Sequence, residues 1–452
     1  MTEARSHGSD GGQEAARAAL VATDRRHLWR PYTPADEHER RDPFVVERAE
    51  GVWLHDADGR RYLDTNGSWW ANTLGHGRPE LRAALCRQAE RMLHVTLAGV
   101  VHEPAARLAE RLVALAPEGL QRVFYTDNGS GAVEVALKIA LQFFRQNGEP
   151  QRTRFVALPG AYHGDTLGVM GLGGVAAFVE TFRPVLTRAW RPPEPLPTAT
   201  GWDWGPTVEG LEAHLRAEGG QVAAVVLEPL VQGAAGMRIY PPEMLARIAS
   251  ACREAGALLV LDEVFTGFGR TGTMFACEQA GVRPDLLCLA KGLTGGTMPL
   301  AATLATERLF DGFRGERGRA LMHGHTYGGH PLGTAVALEA LRLYEAEDIV
   351  GRVRALAPRL RAGFEALAED LPGVRRPRAL GLVAAVDLGE EGYHGGIGWQ
   401  VHLAARRRGL YLRPLGDTIY VCPPLTITDE ELDWMLEQLR GALQETLEAT
   451  GG

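Results

Sequence analysis

The chain has 452 residues, 45% of them hydrophobic and 23% charged, and its formal net charge is −8. That length leaves room for two packed domains, and the acidic balance argues against nucleic acid or an anionic membrane as a partner. No apolar stretch reaches membrane-spanning length, and the five cysteines, odd in number and without a C-x-x-C pair, argue against a disulfide framework or a zinc site.

The first dozen residues are polar and Gly-rich, with no apolar signal core. Residues 1–25 are therefore expected as a flexible tail, and the protein as cytoplasmic. After an irregular segment from His27 to Thr33, Gly51 to Asp64 reads as a hairpin turning at Asp58-Gly59. The stretch Pro79 to Leu93 is amphipathic and opens on a proline, which predicts a helix. From Val123 to about Leu304 strands and helices alternate. The predicted strands are Val123–Tyr125, Arg154–Leu158, Val222–Leu227, Leu258–Leu261, Leu286–Leu289 and Ala301–Ala305. Such alternation implies an α/β fold with a mostly parallel sheet wrapped by helices. Arg191 to Pro206, rich in Pro and Trp, reads as a surface excursion. A long helix is expected through Gly333–Leu343, and beyond it a smaller α+β domain with strands at Leu380–Val386 and Ile419–Cys422.

Three of the apolar runs end in a charge: Glu228 after Val222–Leu227, Asp262 after Ala257–Leu261, and Lys291 after Leu286–Ala290. One such ending is common, but three favour a shared site, because ligands of open α/β sheets bind beyond the carboxyl ends of the strands. Asp262 and Lys291 lie 29 residues apart, enough for one helical crossover between neighbouring strands. An amine and a carboxylate so placed suit pyridoxal phosphate: the lysine forms a Schiff base and the carboxylate keeps the ring nitrogen protonated. A lysine that merely caps a strand and an acid that merely caps the next helix are the plainer readings of each alone. Asp127-Asn-Gly129-Ser130-Gly131 opens a predicted helix, where backbone N–H groups can receive a phosphate. Tyr162, in Gly160-Ala-Tyr162-His163-Gly164-Asp165, is placed to stack on a flat ring, and His163 to make a structural hydrogen bond. The His-rich loop His323 to His330 lacks acidic or Cys partners at ligand spacing, so Thr326 presented to a phosphate is preferred there over a metal. Arg413 lies in an apolar setting, where it either clamps a substrate carboxylate or forms a structural ion pair.

Asp262-Glu263, then Thr266-Gly-Phe-Gly-Arg270-Thr-Gly272, then Lys291-Gly292, resembles the class III pyridoxal phosphate aminotransferases. The resemblance runs from His27 to about Leu439. It implies the fold-type I architecture, a large cofactor domain (75–335) and a discontinuous small domain (26–74 with 336–452), and a homodimer with shared active sites. It makes Lys291 and Asp262, with Tyr32, the catalytic residues. It assigns Gly129, Ser130, Tyr162, Glu228 and Thr326 to the cofactor, Thr326 reaching across from the partner subunit. It gives Tyr32, Trp69, Tyr162, Lys291, Gly324, Arg413 and Tyr420 to the substrates, and Arg270 an indirect place near the site. Trp29-Arg-Pro-Tyr32-Thr33, Ser68-Trp69-Trp70, Val231-Gln-Gly-Ala-Ala-Gly236 and Met322-His-Gly324 are similar to members that act in biotin biosynthesis. The activity so implied is amino transfer to 7-keto-8-aminopelargonate, giving 7,8-diaminopelargonate, with S-adenosylmethionine as donor. His325, where the best-known members have proline, resembles members that use lysine instead, and both donors stay open. The other activity in view is that of a general ω-amino acid or diamine aminotransferase.

Overall fold

The apolar runs assemble into a six-stranded sheet in this computed structural model, which describes residues 10–389 and 392–450. The strands are β1 Leu120–Thr126, β2 Arg154–Ala157, β3 Val222–Leu227, β4 Leu258–Asp262, β5 Leu286–Leu289 and β6 Ala301–Thr306. Across the sheet the order is β1-β6-β5-β4-β3-β2. Neighbours from β2 to β5 run parallel, and β6 is antiparallel to both β5 and β1. Every residue of β3, β4 and β5 is buried. The period of two explains why these strands read as unbroken apolar runs. Leu258 and Val260 join the core shared with the helix Gly129–Gln146, while Leu259 and Leu261 join the one holding Met244 and Ile248.

Register places the chemistry. Asp262 pairs with Cys288 and Leu227 with Leu261, so Glu228, Asp262 and Lys291 emerge side by side at the carboxyl ends of β3, β4 and β5.

The N-terminal segment shares a sheet with the C-terminal part: Val46–Glu50, Trp53–Asp56 and Arg61–Asp64 are joined by Leu410–Tyr411. The expected hairpin turn is fastened by Asp56, whose Oδ1 accepts from the backbone N–H of Asp58 (3.0 Å) and Arg60 (2.8 Å), with Gly59 at φ +78°. The helix read through Gly333–Leu343 spans Pro331–Ala346.

Two expectations differ from the structure. Leu380–Val386 is not one strand but crosses a hairpin: Arg375–Leu380 and Val383–Asp387 pair antiparallel around Gly381 at φ +58°. A Cβ at Gly381 would overlap the Arg270 carbonyl, so the turn is set by a tertiary neighbour. The expected tail is helical over Asp10–His27, and residues 1–9 lie outside the described residues. Its middle, Glu14-Ala-Ala-Arg-Ala-Ala-Leu20, is strong helix-forming sequence, and Arg25, Arg26 and His27 close it where cations suit the helix dipole. Ion pairs from Arg17 to Asp58 (3.2 Å) and Arg25 to Asp42 (2.8 Å) hold it on the body. Among the described residues no helix is long and apolar enough to cross a membrane.

Candidate active site

A cavity of about 410 Å³ opens at the carboxyl ends of β3, β4 and β5. Gly129, Ser130, Tyr162, Glu228, Asp262 and Lys291 all line it, together with Trp70 and His163. The lysine and the aspartate therefore face one space rather than two.

Lys291 Nζ lies 4.9 Å from the centroid of the Trp70 ring, and no carboxylate among the described residues comes within 4 Å of it. Burial lowers its pKa below that of an ordinary lysine, against the opposing charges of Asp262 and Glu228. Burial thus favours the neutral amine more than it would in an exposed lysine, and no ion pair among the described residues ties the nitrogen up.

Asp262 is fixed from both sides. Its Oδ1 accepts from the Val264 N–H at 3.0 Å, and its Oδ2 bonds His163 Nδ1 at 2.7 Å. Burial of His163 works against protonation, but the hydrogen bond and charge of Asp262 prevail and raise its pKa. The other ring nitrogen, Nε2, is buried without a partner. Glu228 accepts from the backbone N–H groups of Tyr162 (3.1 Å) and Gly233 (3.0 Å). Burial pushes its carboxyl up to about 7, against the pull of His163.

One end of the cavity meets the start of the helix Gly129–Gln146 at Gly129 and Ser130. Asn128 caps it, its Oδ1 accepting from the Gly131 N–H at 2.8 Å. The first N–H groups, of Gly129 and Ser130, have no carbonyl partner within the helix and meet the cavity. Gly129 is required by close approach: a Cβ there would come 2.8 Å from Val264 Cγ1.

The mouth beside the cavity is aromatic: Trp70 and Tyr162 line the cavity, while Tyr32, Trp69 and Arg413 lie outside its lining. Ser68, Trp69 and Trp70 all have positive φ, 46°, 65° and 71°. Three consecutive non-glycine residues in the left-handed region cost about 1–3 kcal/mol each. The kink turns Trp70 inward, 5% exposed, and leaves Trp69 outward, 45% exposed. Trp70 Nε1–H donates to Tyr420 Oη at 3.1 Å, so Tyr420 is buried behind Trp70 and does not line the cavity. Tyr32 packs edge-on against Trp69, with ring centroids 5.6 Å apart. Tyr32 and Tyr162 both donate to Asp165 Oδ2, the latter at 2.9 Å. Burial and Asp165 raise the Tyr32 pKa, which keeps the phenol protonated. The Arg413 guanidinium lies over the Trp69 ring, 5.4 Å from its centroid, with no carboxylate within 4 Å among the described residues. Its backbone N–H is held by Asn66 Oδ1 at 2.8 Å.

Gly324 and Thr326 stand exposed on their loop and do not line the cavity of their own chain. His325 Nε2 lies 3.7 Å from Asp127 Oδ1, and Asp127 lines the cavity, so the loop borders the phosphate end. Arg270 is fully buried outside the cavity, and its Nη1 donates to the carbonyls of Leu382 (3.3 Å) and Pro423 (2.6 Å). Among the described residues no cluster of three or more His, Cys, Asp or Glu side chains is arranged for a metal ion.

Sequence reasoning did not assign Asp165 or Trp70 to the site, and it gave His163 only a structural bond. The signal for Asp165 was present, since it lies three residues beyond Tyr162 on one loop.

A mostly parallel sheet with an amine and an acid on adjacent strand ends, and a helix N-terminus open to the same cavity beside them, defines a fold-type I cofactor enzyme. The class III aminotransferase family model matches residues 35–443, and the chain belongs to that family. It is 42% identical to adenosylmethionine-8-amino-7-oxononanoate aminotransferase from Geobacter sulfurreducens over 448 residues, 95% of this chain and 97% of that protein. The crystal structure of the enzyme of the same name from Methanocaldococcus jannaschii superposes with a TM-score of 0.90 at 35% identity, covering 95% of this chain and 99% of that one. An amine transaminase from an uncultivated Pseudomonas species, solved in its PLP-bound form, superposes with a TM-score of 0.88 at 34% identity, covering 93% and 99% of the two chains.

Proposed function

We propose that this chain is a pyridoxal phosphate-dependent transaminase that converts 7-keto-8-aminopelargonate to 7,8-diaminopelargonate in biotin biosynthesis, drawing the amino group from S-adenosylmethionine or lysine. The observation that carries the substrate is the mouth. An aromatic wall of Tyr32, Trp69 and Tyr162 ends at the Arg413 guanidinium, which has no carboxylate within 4 Å among the described residues and suits a long aliphatic chain ending in a carboxylate. The names of the relatives point to the same substrate.

The residues fit pyridoxal phosphate. Gly129 and Ser130 would hold the phosphate, Tyr162 the ring face, Asp262 the ring nitrogen and Lys291 the carbonyl carbon, while Glu228 fixes the Tyr162 loop. When bound, the cofactor supplies an electron-withdrawing ring that accepts the electron pair released when a proton leaves the substrate's reacting carbon. Lys291, its pKa lowered, would take that proton as a general base and give it up again as an acid before the same half-reaction ends, and would make the two transfers in reverse in the second half. Asp262, braced by His163, keeps a proton on the ring nitrogen throughout. Arg413 holds the keto acid's carboxylate, and Tyr32 and Trp69 line its chain. Tyr420 acts through Trp70, which it orients. Arg270 fixes the backbone of 382 and 423 beside the site.

The working unit on this reading is a cytoplasmic homodimer, with Thr326 of each chain completing the other's phosphate site and Gly324 serving the substrates. Residues 26–74 with 336–452 form the small domain and 75–335 the large one. The sheet that joins 46–64 to 410–411 supports that discontinuous division.

The test is purified enzyme with cofactor and 7-keto-8-aminopelargonate, S-adenosylmethionine in one reaction and lysine in another. Diaminopelargonate is expected in one of them. Its absence from both, with turnover of simple amines and ω-amino acids, would select the general transaminase, to which the structural likeness to the Pseudomonas enzyme also points.

Arg413→Ala is expected to raise KM for the keto acid by roughly tenfold or more while changing kcat little. It removes a charge-assisted bond that the bound substrate and the transition state share. A wild-type KM would place the carboxylate elsewhere.

A further inference from the structure

A second cavity, of about 90 Å³, adjoins the short helix Ala176–Val179 that carries Phe178 into the mouth. Phe178 packs its ring against Tyr32 (5.6 Å), Tyr162 (5.5 Å) and Tyr393 (5.0 Å), while its neighbours Ala176 and Val179 line the second cavity. The lining includes three arginines, Arg183, Arg188 and Arg191, and no acidic residue.

These cations are incompletely matched. Arg183 is paired with Glu180, Nε to Oε2 at 2.9 Å. Arg188 is exposed, with no hydrogen bond or ion pair to any described residue. Arg191 Nη2 donates to the carbonyls of Gly171 (3.1 Å) and Gly173, but its Nε is buried with no partner. Burial and the charges of Arg183 and Arg188 press the Arg191 pKa down. Glu194 opposes this, but its carboxylate is engaged by Arg238 at 3.2 Å. Converging cations around a small space leave a positive field that favours an anion. The size selects among anions, since organic ligands of drug size need pockets of roughly 300 Å³ or more. A nucleotide is too large, and an ion of a few heavy atoms is not.

We propose that this cavity binds a small tetrahedral oxyanion of the inorganic phosphate class, and that the bound ion braces segment 171–191 and so fixes Phe178 in the wall of the active-site mouth. Arg188 and Arg191 contact the ion, with Arg183 adding charge. The carbonyl bonds of Arg191 hold the glycine turn against which the short helix rests.

The experiment is isothermal titration of holoenzyme with inorganic phosphate at constant ionic strength balanced by chloride. Saturating pyridoxal phosphate keeps the ion out of the cofactor cradle. Wild type is expected to bind phosphate saturably, Arg188→Gln to bind it about tenfold more weakly, and Arg413→Ala to bind it as wild type does. Arg188 is exposed and unpaired, so its replacement leaves the fold intact. Amide hydrogen exchange across 171–182 is expected to slow with phosphate in wild type and to respond weakly in Arg188→Gln. No saturable binding, or equal affinity in wild type and Arg188→Gln, overturns the site. Binding that leaves exchange at 171–182 unchanged overturns the link to the mouth.

Discussion

Lys291→Ala is expected to abolish transamination, lowering kcat by about 10⁴-fold or more, because one side chain supplies both the covalent anchor of the cofactor and the base that moves the substrate proton. The geometry leaves no substitute. No second lysine lines the cavity, and its other basic side chain, the His163 imidazole, is committed through Nδ1 to Asp262. Lys291→Arg separates the two contributions of charge and proton transfer. It keeps a cation over Trp70 but cannot release a proton near neutrality, so it is expected to be as inactive as the alanine variant. The independent readout is retention of the cofactor. Borohydride treatment followed by denaturation should leave pyridoxal phosphate on the wild-type chain and none on either variant. Activity above about a hundredth of wild type in the alanine variant would move the base to another residue. The pH response follows from the direction of the shift. Because burial lowers the Lys291 pKa, the free amine is available at a lower pH than for an ordinary lysine, and the rate should rise and level off correspondingly early on the alkaline limb.

The sheet and the floor of the site were legible in the sequence because strands buried on both faces leave an unmistakable trace. Val222–Leu227 and Leu286–Leu289 appear in the structure with the bounds their apolar runs suggest. The charge that ends each run marks where the sheet stops and solvent or ligand begins, and register then brings Glu228, Asp262 and Lys291 together. What could not be read depends on tertiary contact. The Leu380–Val386 run looks like one strand, because nothing local says that Arg270, more than a hundred residues earlier, leaves no room for a side chain at position 381. The left-handed kink of Ser68-Trp69-Trp70 contradicts local preference. Tertiary contacts stabilise it: the packing of Trp70 against Phe265 (centroids 4.5 Å apart), its bond to Tyr420, and the Ser68 hydroxyl donating to Asp64 Oδ2 at 2.8 Å. The aromatic pair was visible as a motif, but its division into one buried and one exposed ring was not. The helix at Asp10–His27 escapes a reading by composition for the opposite reason: a Gly-rich start masks an alanine-rich sequence with good intrinsic propensity.

Asp262→Asn is expected to retain cofactor yet lose about 10²–10³-fold in kcat, the usual scale for removing one electrostatic group aimed at developing charge. The substitution is nearly isosteric, and the asparagine carbonyl can still accept the Val264 N–H that Asp262 Oδ1 accepts at 3.0 Å. What changes is charge. A neutral amide cannot hold a proton on a ring nitrogen, so the electron pair released from the substrate loses its acceptor. Two neighbours respond in predictable directions. The His163 pKa falls, because the Asp262 bond and charge are what raise it against burial. The Lys291 pKa falls further, because Asp262 is the first of the charges that hold it up. The lysine would therefore become more completely deprotonated while the reaction slows, a combination that a general loosening of the site would not give. A cofactor analogue methylated on the ring nitrogen separates the explanations. Its ring is permanently cationic, so it should restore part of the lost activity in Asp262→Asn while lowering that of wild type. If the analogue restores nothing, or if Asp262→Asn turns over within about threefold of wild type, the carboxylate does not serve the ring nitrogen and the assignment of the cavity to this cofactor orientation fails.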